Sequence, residues 1–329
     1  MITVDNVSKS YGTKLAVDQI SFEVVRGEVL GFIGPNGSGK STTMRMITGF
    51  IPPSSGRITV GGHDMVTDPI PGKRLIGYLP ESAPSYGEMT VVSFLRFVAE
   101  LRGLRGDAKR RELRRVVDLC ALESVLGQTI DTLSKGFRHR TSFAQALIHD
   151  PDVLILDEPT DGLDPNQKHE MRALIRRMGE RKAIVFSTHI LEEVDEVCSR
   201  AIIIDRGRIV ANGTPDQLRA RSAHAGTVSL RIAGPTAESI ESRLAQLPMA
   251  FKTAANTLEP GLIELRVQPQ PDDNPPATGA ALAAAIAEIA AREGWRVESL
   301  NVEPGRLDEV FRSLTRSDTA QPQHERVSA

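Results

Sequence analysis

The sequence predicts an α/β domain with an inserted helical subdomain, followed by a smaller α+β domain. Three observations predict it. Short apolar runs alternate with amphipathic segments over the first two thirds of the chain. The stretch between Thr90 and His149 has helical periodicity and no strand signal. Past Gly226 the pattern reads strand, helix, strand, strand, helix, strand.

In chain order, Glu28–Ile33 reads as a buried strand and Lys40–Thr48 as the helix after it. Ile76–Leu79, Val153–Leu156, Ala183–Ser187 and Ala201–Asp205 are uninterrupted apolar runs, as expected of strands covered on both faces. Thr90–Leu101, Ala108–Leu119 and Gly136–His149 form the helical insertion, which spans about residues 85–149. Composition changes at Arg221–Gly226, so the chain divides into a domain at 1–222, a linker at 223–226 and a second domain at 227–316. In the second domain, strands fall at Thr227–Ile232, Ala250–Ala255, Ile263–Val267 and Arg296–Asn301. Helices fall at Ala237–Leu247, Gly279–Arg292 and Asp308–Leu314. Gln268–Ala277, with four prolines, reads as a loop, and the polar stretch 317–329 as a disordered tail.

Composition narrows the function classes. The 329 residues are enough for two domains, and a 40% hydrophobic, 25% charged balance excludes disordered and fibrous chains. Lys plus Arg is 40 against 42 Asp plus Glu, and aromatics are 4%, so neither a basic field nor stacking platforms point to nucleic acid. Cys120 and Cys198 form no CxxC pair, which suits a reduced compartment without a zinc site. No apolar run reaches ~18–20 residues and the N-terminus has no signal-peptide pattern, so a soluble protein is expected, with any membrane role exerted through a partner. Between Arg96 and Asp118 stand eight basic residues against four acids, either a solvated helix face or a surface toward anionic lipid or a membrane subunit.

The strongest local signal is Gly34-Pro35-Asn36-Gly37-Ser38-Gly39-Lys40-Ser41, with Thr42 following. A GxxxxGK[ST] loop between a strand and a helix lets backbone N–H groups curl around a phosphate at the positive end of that helix. Lys40 can reach the β- and γ-phosphates, and the Ser41 hydroxyl can ligate Mg2+. A second signal is Val153-Leu154-Ile155-Leu156-Asp157-Glu158, an apolar strand ending in two acids. Asp157 can hold Mg2+ across the sheet from the loop, and Glu158 can accept a proton from an attacking water. By itself such a run could also be a buried strand meeting solvent.

Three more motifs complete the order. Leu133-Ser134-Lys135-Gly136-Phe137 lies upstream of Asp157, Asp161-Gly162-Leu163-Asp164-Pro165 follows Glu158, and Ser187-Thr188-His189 ends a later strand. Together these resemble the nucleotide-binding subunit of ATP-binding cassette (ABC) transporters over about residues 1–222. The resemblance implies a P-loop NTPase cassette with a RecA-like core and ATP and Mg2+ as ligands; the βαββαβ order behind it is the ferredoxin-like plan. The resemblance implies further that Tyr11 stacks on adenine, the other reading of Tyr11 beside Gly12 being a hairpin aromatic packed on the sheet. It implies that Glu81 joins the core to the helical subdomain near Mg2+, and that Ser134 and Gly136 close over the γ-phosphate of the opposite cassette. Asp164 would contact the second cassette, and His189 would be the switch histidine; the hydroxyl of Ser134 would also cap a helix. Two positions depart from the family pattern: Glu81 replaces a glutamine, and Lys135 and Phe137 replace a glycine and a glutamine.

Those departures, with Glu303–Phe311, resemble the multidrug-export and gliding-motility type of cassette, in which the membrane-spanning subunit is a separate chain. The expectation is an ATP-hydrolysing motor, working as a homodimer of cassettes on a separate transmembrane permease, at the cytoplasmic face of the membrane and without nucleic acid. A cassette ATPase acting on DNA or ribosomes is the alternative, and such proteins generally have tandem cassettes, coiled-coil insertions or basic arms.

Overall fold

The computed structural model describes residues 1–81, 86–233, 236–244, 247–259, 261–270 and 275–315. The expected tail at 317–329 lies outside the described residues. The chain divides into two compact units, Met1–Asn212 and Gly213–Ala329.

The first unit contains β1 (Ile2–Tyr11), β2 (Lys14–Val24), β3 (Val29–Ile33), α1 (Lys40–Ile47), β4 (Ser55–Val60), β5 (His63–Asp64), α2 (Pro69–Arg74) and β6 (Ile76–Leu79). It continues with α3 (Val91–Leu101), α4 (Gly106–Leu119), α5 (Lys135–Leu147), β7 (Val153–Asp157), α6 (Pro165–Gly179), β8 (Ala183–Thr188), α7 (Leu191–Val197), β9 (Arg200–Asp205) and β10 (Arg208–Gly213). Six strands form one sheet in the order β10-β9-β3-β8-β7-β6, with β9, β3, β8, β7 and β6 parallel. Its central strands β3, β7 and β8 are buried at every residue, which explains their unbroken apolar sequences.

A second sheet, β2-β1-β4-β5, is antiparallel and was not evident in the sequence. Its strands bury one face only, so Ile2 and Val4 alternate with polar neighbours and give a weaker signal than a continuous run. Between the sheets lies a core of Val4, Ile20, Phe32, Met44, Ile58, Ile155 and Ile202, in which α1 is embedded through Met44, Met46 and Ile47. On the other face, Phe94, Leu95, Phe143 and Leu147 of the helical insertion pack on Leu154, Leu156 and Phe186 of the parallel sheet. The three inserted helices match the expected ones within two residues. Thr90 caps α3 by accepting from the Ser93 N–H at 3.3 Å, and Ser134 caps α5 in the same way from Phe137 at 3.3 Å. Much of the basic charge at 96–118 bonds inside this unit: Lys109 pairs with Glu100 at 2.8 Å, and Arg115 with Glu112 at 2.6 Å and the Leu147 carbonyl at 2.7 Å.

The second unit contains α8 (Pro215–Arg219), β11 (Val228–Ala233), α9 (Ala237–Leu244), β12 (Ala250–Glu259), β13 (Leu262–Pro269), α10 (Pro275–Glu293), β14 (Arg296–Val302) and α11 (Leu307–Leu314). Its sheet is antiparallel in the order β12-β13-β11-β14, and Leu230, Ile232, Leu265, Leu282 and Ile286 form its core. This is the βαββαβ plan. Two boundaries differ from the sequence reading. The proline-rich stretch 268–277 is not one loop, because β13 extends to Pro269 and α10 begins at Pro275; a proline lacks only an N–H that a first helical turn leaves unpaired. The segment read as a linker is bonded into the second unit. The His224 ring meets Glu309 at 2.9 Å, beside a hydrogen bond donated to the same carboxylate by the Ser222 hydroxyl at 2.5 Å, and the Gly226 N–H donates to the Glu303 carbonyl at 2.9 Å. Residues 215–219, which the sequence reading includes in the first domain, form α8 and belong to the second unit for a similar reason: α8 packs on α11.

Candidate nucleotide site

The loop Gly34–Gly39 connects the C-terminal end of β3 to α1, where a parallel sheet opens its crevice to ligands. Helix α1 has no side-chain cap, and its N-cap Gly39 has φ of 112°, so the first N–H groups of the helix stay available. Gly34 is required for packing. A Cβ there would lie 2.3 Å from the Ile204 carbonyl oxygen and 2.5 Å from Ser38 Oγ. The loop is further tied by the Gly207 N–H donating to the Ser38 carbonyl at 2.8 Å.

Lys40 is buried and folds back on its own loop, donating to the carbonyls of Gly34 at 2.7 Å and Pro35 at 3.1 Å. Burial pushes its ammonium pKa down, while the carboxylates of Glu158, Asp157 and Glu81 pull it up. Its positive charge is thereby held in a partly desolvated place facing three acids. Asp157 ends β7 and accepts from Ser41 Oγ at 3.4 Å and Ser187 Oγ at 2.6 Å. Ser187 in turn accepts from the Glu158 N–H at 2.9 Å, so one hydroxyl of β8 links the two acids of β7. Glu158 has φ of 52°, a left-handed conformation unusual for a side chain with Cβ, and its Oε2 meets His189 Nδ1 at 2.8 Å.

Tyr11, Asn36, Gly37, Gly39, Lys40, Ser41, Thr42, Glu81 and Glu158 line one cavity of about 380 Å³ with Lys14 and Ala16. Asn36, Glu81, Glu158, Asp161 and His189 line a second of about 340 Å³. The parts expected from the sequence at the phosphate loop, the acid pair, Glu81 and the histidine are therefore brought together. Tyr11 is 49% exposed, with Lys9 Nζ 5.4 Å from its ring centroid. Ser134, Gly136 and Asp164 line neither cavity. Ser134 caps α5, Asp164 caps α6 by accepting from the Gln167 N–H at 3.0 Å, and Gly136 is held against the Gln167 side chain. Sequence reasoning missed Asp161 as a cavity residue, and Ser187 as the link between the acids. The hydroxyl pair directly before His189 was the available sign of the second.

The donors present suit a small hard cation. Ser41 and Asp157 are oxygen ligands already in contact, and Glu81 and Glu158 add carboxylates on the cavity wall. Among the described residues no cluster of three or more His, Cys, Asp or Glu is assembled by the protein alone.

A family model described as ABC transporter matches residues 17–161, the span containing the phosphate loop and both acids. The linearmycin resistance ATP-binding protein LnrL of Bacillus subtilis (strain 168) is 36% identical over 236 residues, which are 71% of this chain and 76% of LnrL. This chain belongs to the ATP-binding subunits of the ABC transporter family. A probable multidrug ABC transporter ATP-binding protein, YbhF of Escherichia coli (strain K12), is 38% identical over 225 residues. Those residues are 68% of this subunit but 39% of YbhF, so the match spans well under half of that relative's length. A solved structure titled as the ATP-binding subunit of an ABC transporter superposes with a TM-score of 0.62 at 32% identity. That superposition covers 67% of this subunit and 92% of the solved chain. Among the described residues no helix is long and apolar enough to cross a membrane.

Proposed function

We propose that this subunit binds Mg2+-ATP at the phosphate loop, hydrolyses it, and drives export by a separate membrane-spanning permease. The observation that carries the reading is the convergence of Lys40, Asp157, Glu158 and His189 on one loop at the carboxyl end of a parallel sheet. The N–H groups of Gly34–Gly39 and the α1 N-terminus cradle the phosphates, with Lys40 turning from its loop carbonyls to the β- and γ-oxygens. Ser41 and Asp157, with Glu81 beside them, would hold Mg2+, which supplies charge neutralisation at the phosphates. Tyr11 offers a ring to the adenine, and Thr42 a further hydroxyl to the phosphates. Glu158 accepts a proton from the water whose oxygen bonds to the γ-phosphorus as the bond to the ADP oxygen breaks. His189 holds that carboxylate in place.

Ser134, Gly136 and Asp164 lie away from the site of their own chain, which supports a role across a dimer of two cassettes. In that arrangement Ser134 and Gly136 complete the partner's site, and Asp164 lies at the dimer contact. Export is supported by the printed names of the relatives, which include multidrug transport and linearmycin resistance. We place the subunit peripherally on the cytoplasmic face through its permease, with the Met1–Asn212 unit as the cassette and the unit from Gly213 onward as an accessory domain without catalytic residues.

The test is single-turnover hydrolysis by Glu158→Gln. An amide cannot take the proton, so the variant should bind ATP normally and hydrolyse it at least ~100-fold more slowly. Hydrolysis at the wild-type rate would refute the assignment.

A further inference from the structure

We propose that Glu193, a residue no motif singled out, is a positioning residue for hydrolysis that holds the Glu158 and His189 loops in register. The proposal rests on the nucleotide reading above. Glu193 stands in the first turn of α7 and is 1% exposed, although its neighbours Glu192 and Asp195 are not buried. A carboxylate removed from water to this degree needs donors, and two hydroxyls supply them. Thr160 Oγ1 donates to Glu193 Oε1, and Thr188 Oγ1 donates to Glu193 Oε2 at 2.6 Å. Both threonines are buried, at 3% and 1% exposure.

The positions of those threonines give the contact its meaning. Thr160 lies two residues past Glu158 and directly before Asp161, which lines the cavity shared by Glu158 and His189. Thr188 lies directly before His189. Its hydroxyl also accepts from the Ile190 N–H at 3.0 Å, so it fastens the backbone on both sides of the histidine. One acceptor-only group therefore clamps the two loops whose side chains meet at 2.8 Å in the Glu158–His189 contact. Releasing the clamp lets the loops move apart without touching the phosphate loop, so turnover should suffer while nucleotide affinity is kept.

Steady-state ATPase assays and nucleotide titrations on the full chain test this, with thermal melting to confirm folding. Thr188→Val and Glu193→Ala should each lower kcat about tenfold or more, with KM for ATP changed less than about twofold. Glu193→Gln keeps an acceptor for Thr188 while the Thr160 hydroxyl can reverse, so it should stay within about threefold of wild type. In a His189→Ala background, Thr188→Val should add no further loss, because the clamp acts through the histidine. Should Glu193→Ala not fold, Glu193→Leu and Thr188→Val carry the same comparison. Folded Thr188→Val and Glu193→Leu proteins with wild-type kcat would overturn the proposal. So would an equal loss from Thr188→Val with and without His189. A wild-type protein that hydrolyses no ATP would refute the nucleotide reading itself and the proposal with it.

Discussion

Glu158 Oε2 lies 2.8 Å from His189 Nδ1, and Glu158 reaches it from a left-handed backbone with φ of 52°. The proposed general base is thus aimed by the turn it sits in and held by a ring just past the end of β8. His189→Ala leaves the carboxylate present but free to swing. It should lower kcat by about 100-fold with little change in ATP affinity, measured by steady-state hydrolysis and a fluorescent nucleotide titration. Equal losses in kcat and in affinity would mean that the histidine acts on binding.

Two loop glycines should respond very differently to alanine. At Gly34 a Cβ collides with the backbone carbonyl of Ile204, which is fixed in β9, so the loop must move. Gly37 has φ of 80° but open space around it, and alanine there costs only the ~1–2 kcal/mol of a left-handed conformation. Nucleotide affinity should fall at least ~10-fold for Gly34→Ala and only slightly for Gly37→Ala, since only the first displaces the phosphate-binding N–H groups. Isothermal titration with ATP checks the order.

Glu81 brings a carboxylate to a position where the family has an amide. It lines both cavities, shares the first with Lys40 and raises the pKa of its ammonium. A negative side chain there repels the γ-phosphate unless a cation intervenes, so ATP binding should depend steeply on Mg2+. Glu81→Gln should flatten that dependence while keeping ATPase activity. Superimposable ATP titrations of wild type and Glu81→Gln across Mg2+ concentrations would show that Glu81 has no part in it.

Sharing of sites between cassettes is tested by complementation. Ser134→Arg should abolish turnover yet leave nucleotide affinity of the monomer near normal, whereas Lys40→Ala should weaken binding directly. A mixture of the two contains one heterodimeric site with both native partners, and its activity should exceed that of either variant alone. No gain in mixtures shown to contain heterodimers would count against sharing.

Acid stability should be set in part by His149. Its ring N–H donates to the Ile76 carbonyl at 3.1 Å, and its buried Nδ1 has no hydrogen-bond partner among the described residues. Burial, reinforced by Arg102, holds its pKa down at about 4 against an ordinary 6.5. The unfolded chain takes up the proton near pH 6.5 and the folded chain only near 4. The contribution is therefore complete above pH 6.5 and lost as pH falls toward 4, on the order of 3 kcal/mol. Thermal melts between pH 7 and 4 should show this fall, and His149→Gln, which cannot titrate, should flatten it.

The parallel strands and the inserted helices were legible in the sequence because full burial demands unbroken apolar runs, and helices repeat at a fixed period. The antiparallel sheet was hidden because its half-buried strands alternate like many exposed segments. The ordering of the 223–226 segment was hidden because residues such as His224 and Gly226 look unstructured until Glu309 and Glu303, distant in sequence, bond to them.

At the site, the sequence alone pointed to which atoms can do the chemistry: the loop glycines, Lys40, Ser41, Asp157 and Glu158 follow from residue types at set spacings, and His189 from the family resemblance. Tertiary structure decided which of them face one another. It placed Asp161 at the cavity, kept Ser134 and Gly136 out of it, and inserted Ser187 and Glu193 as the hydrogen-bonded ties between β7 and β8. Such ties join residues about thirty positions apart and come from ordinary serines and acids. Their role arises only when a parallel sheet sets neighbouring strand ends ~5 Å from one another and excludes water from the groups between them.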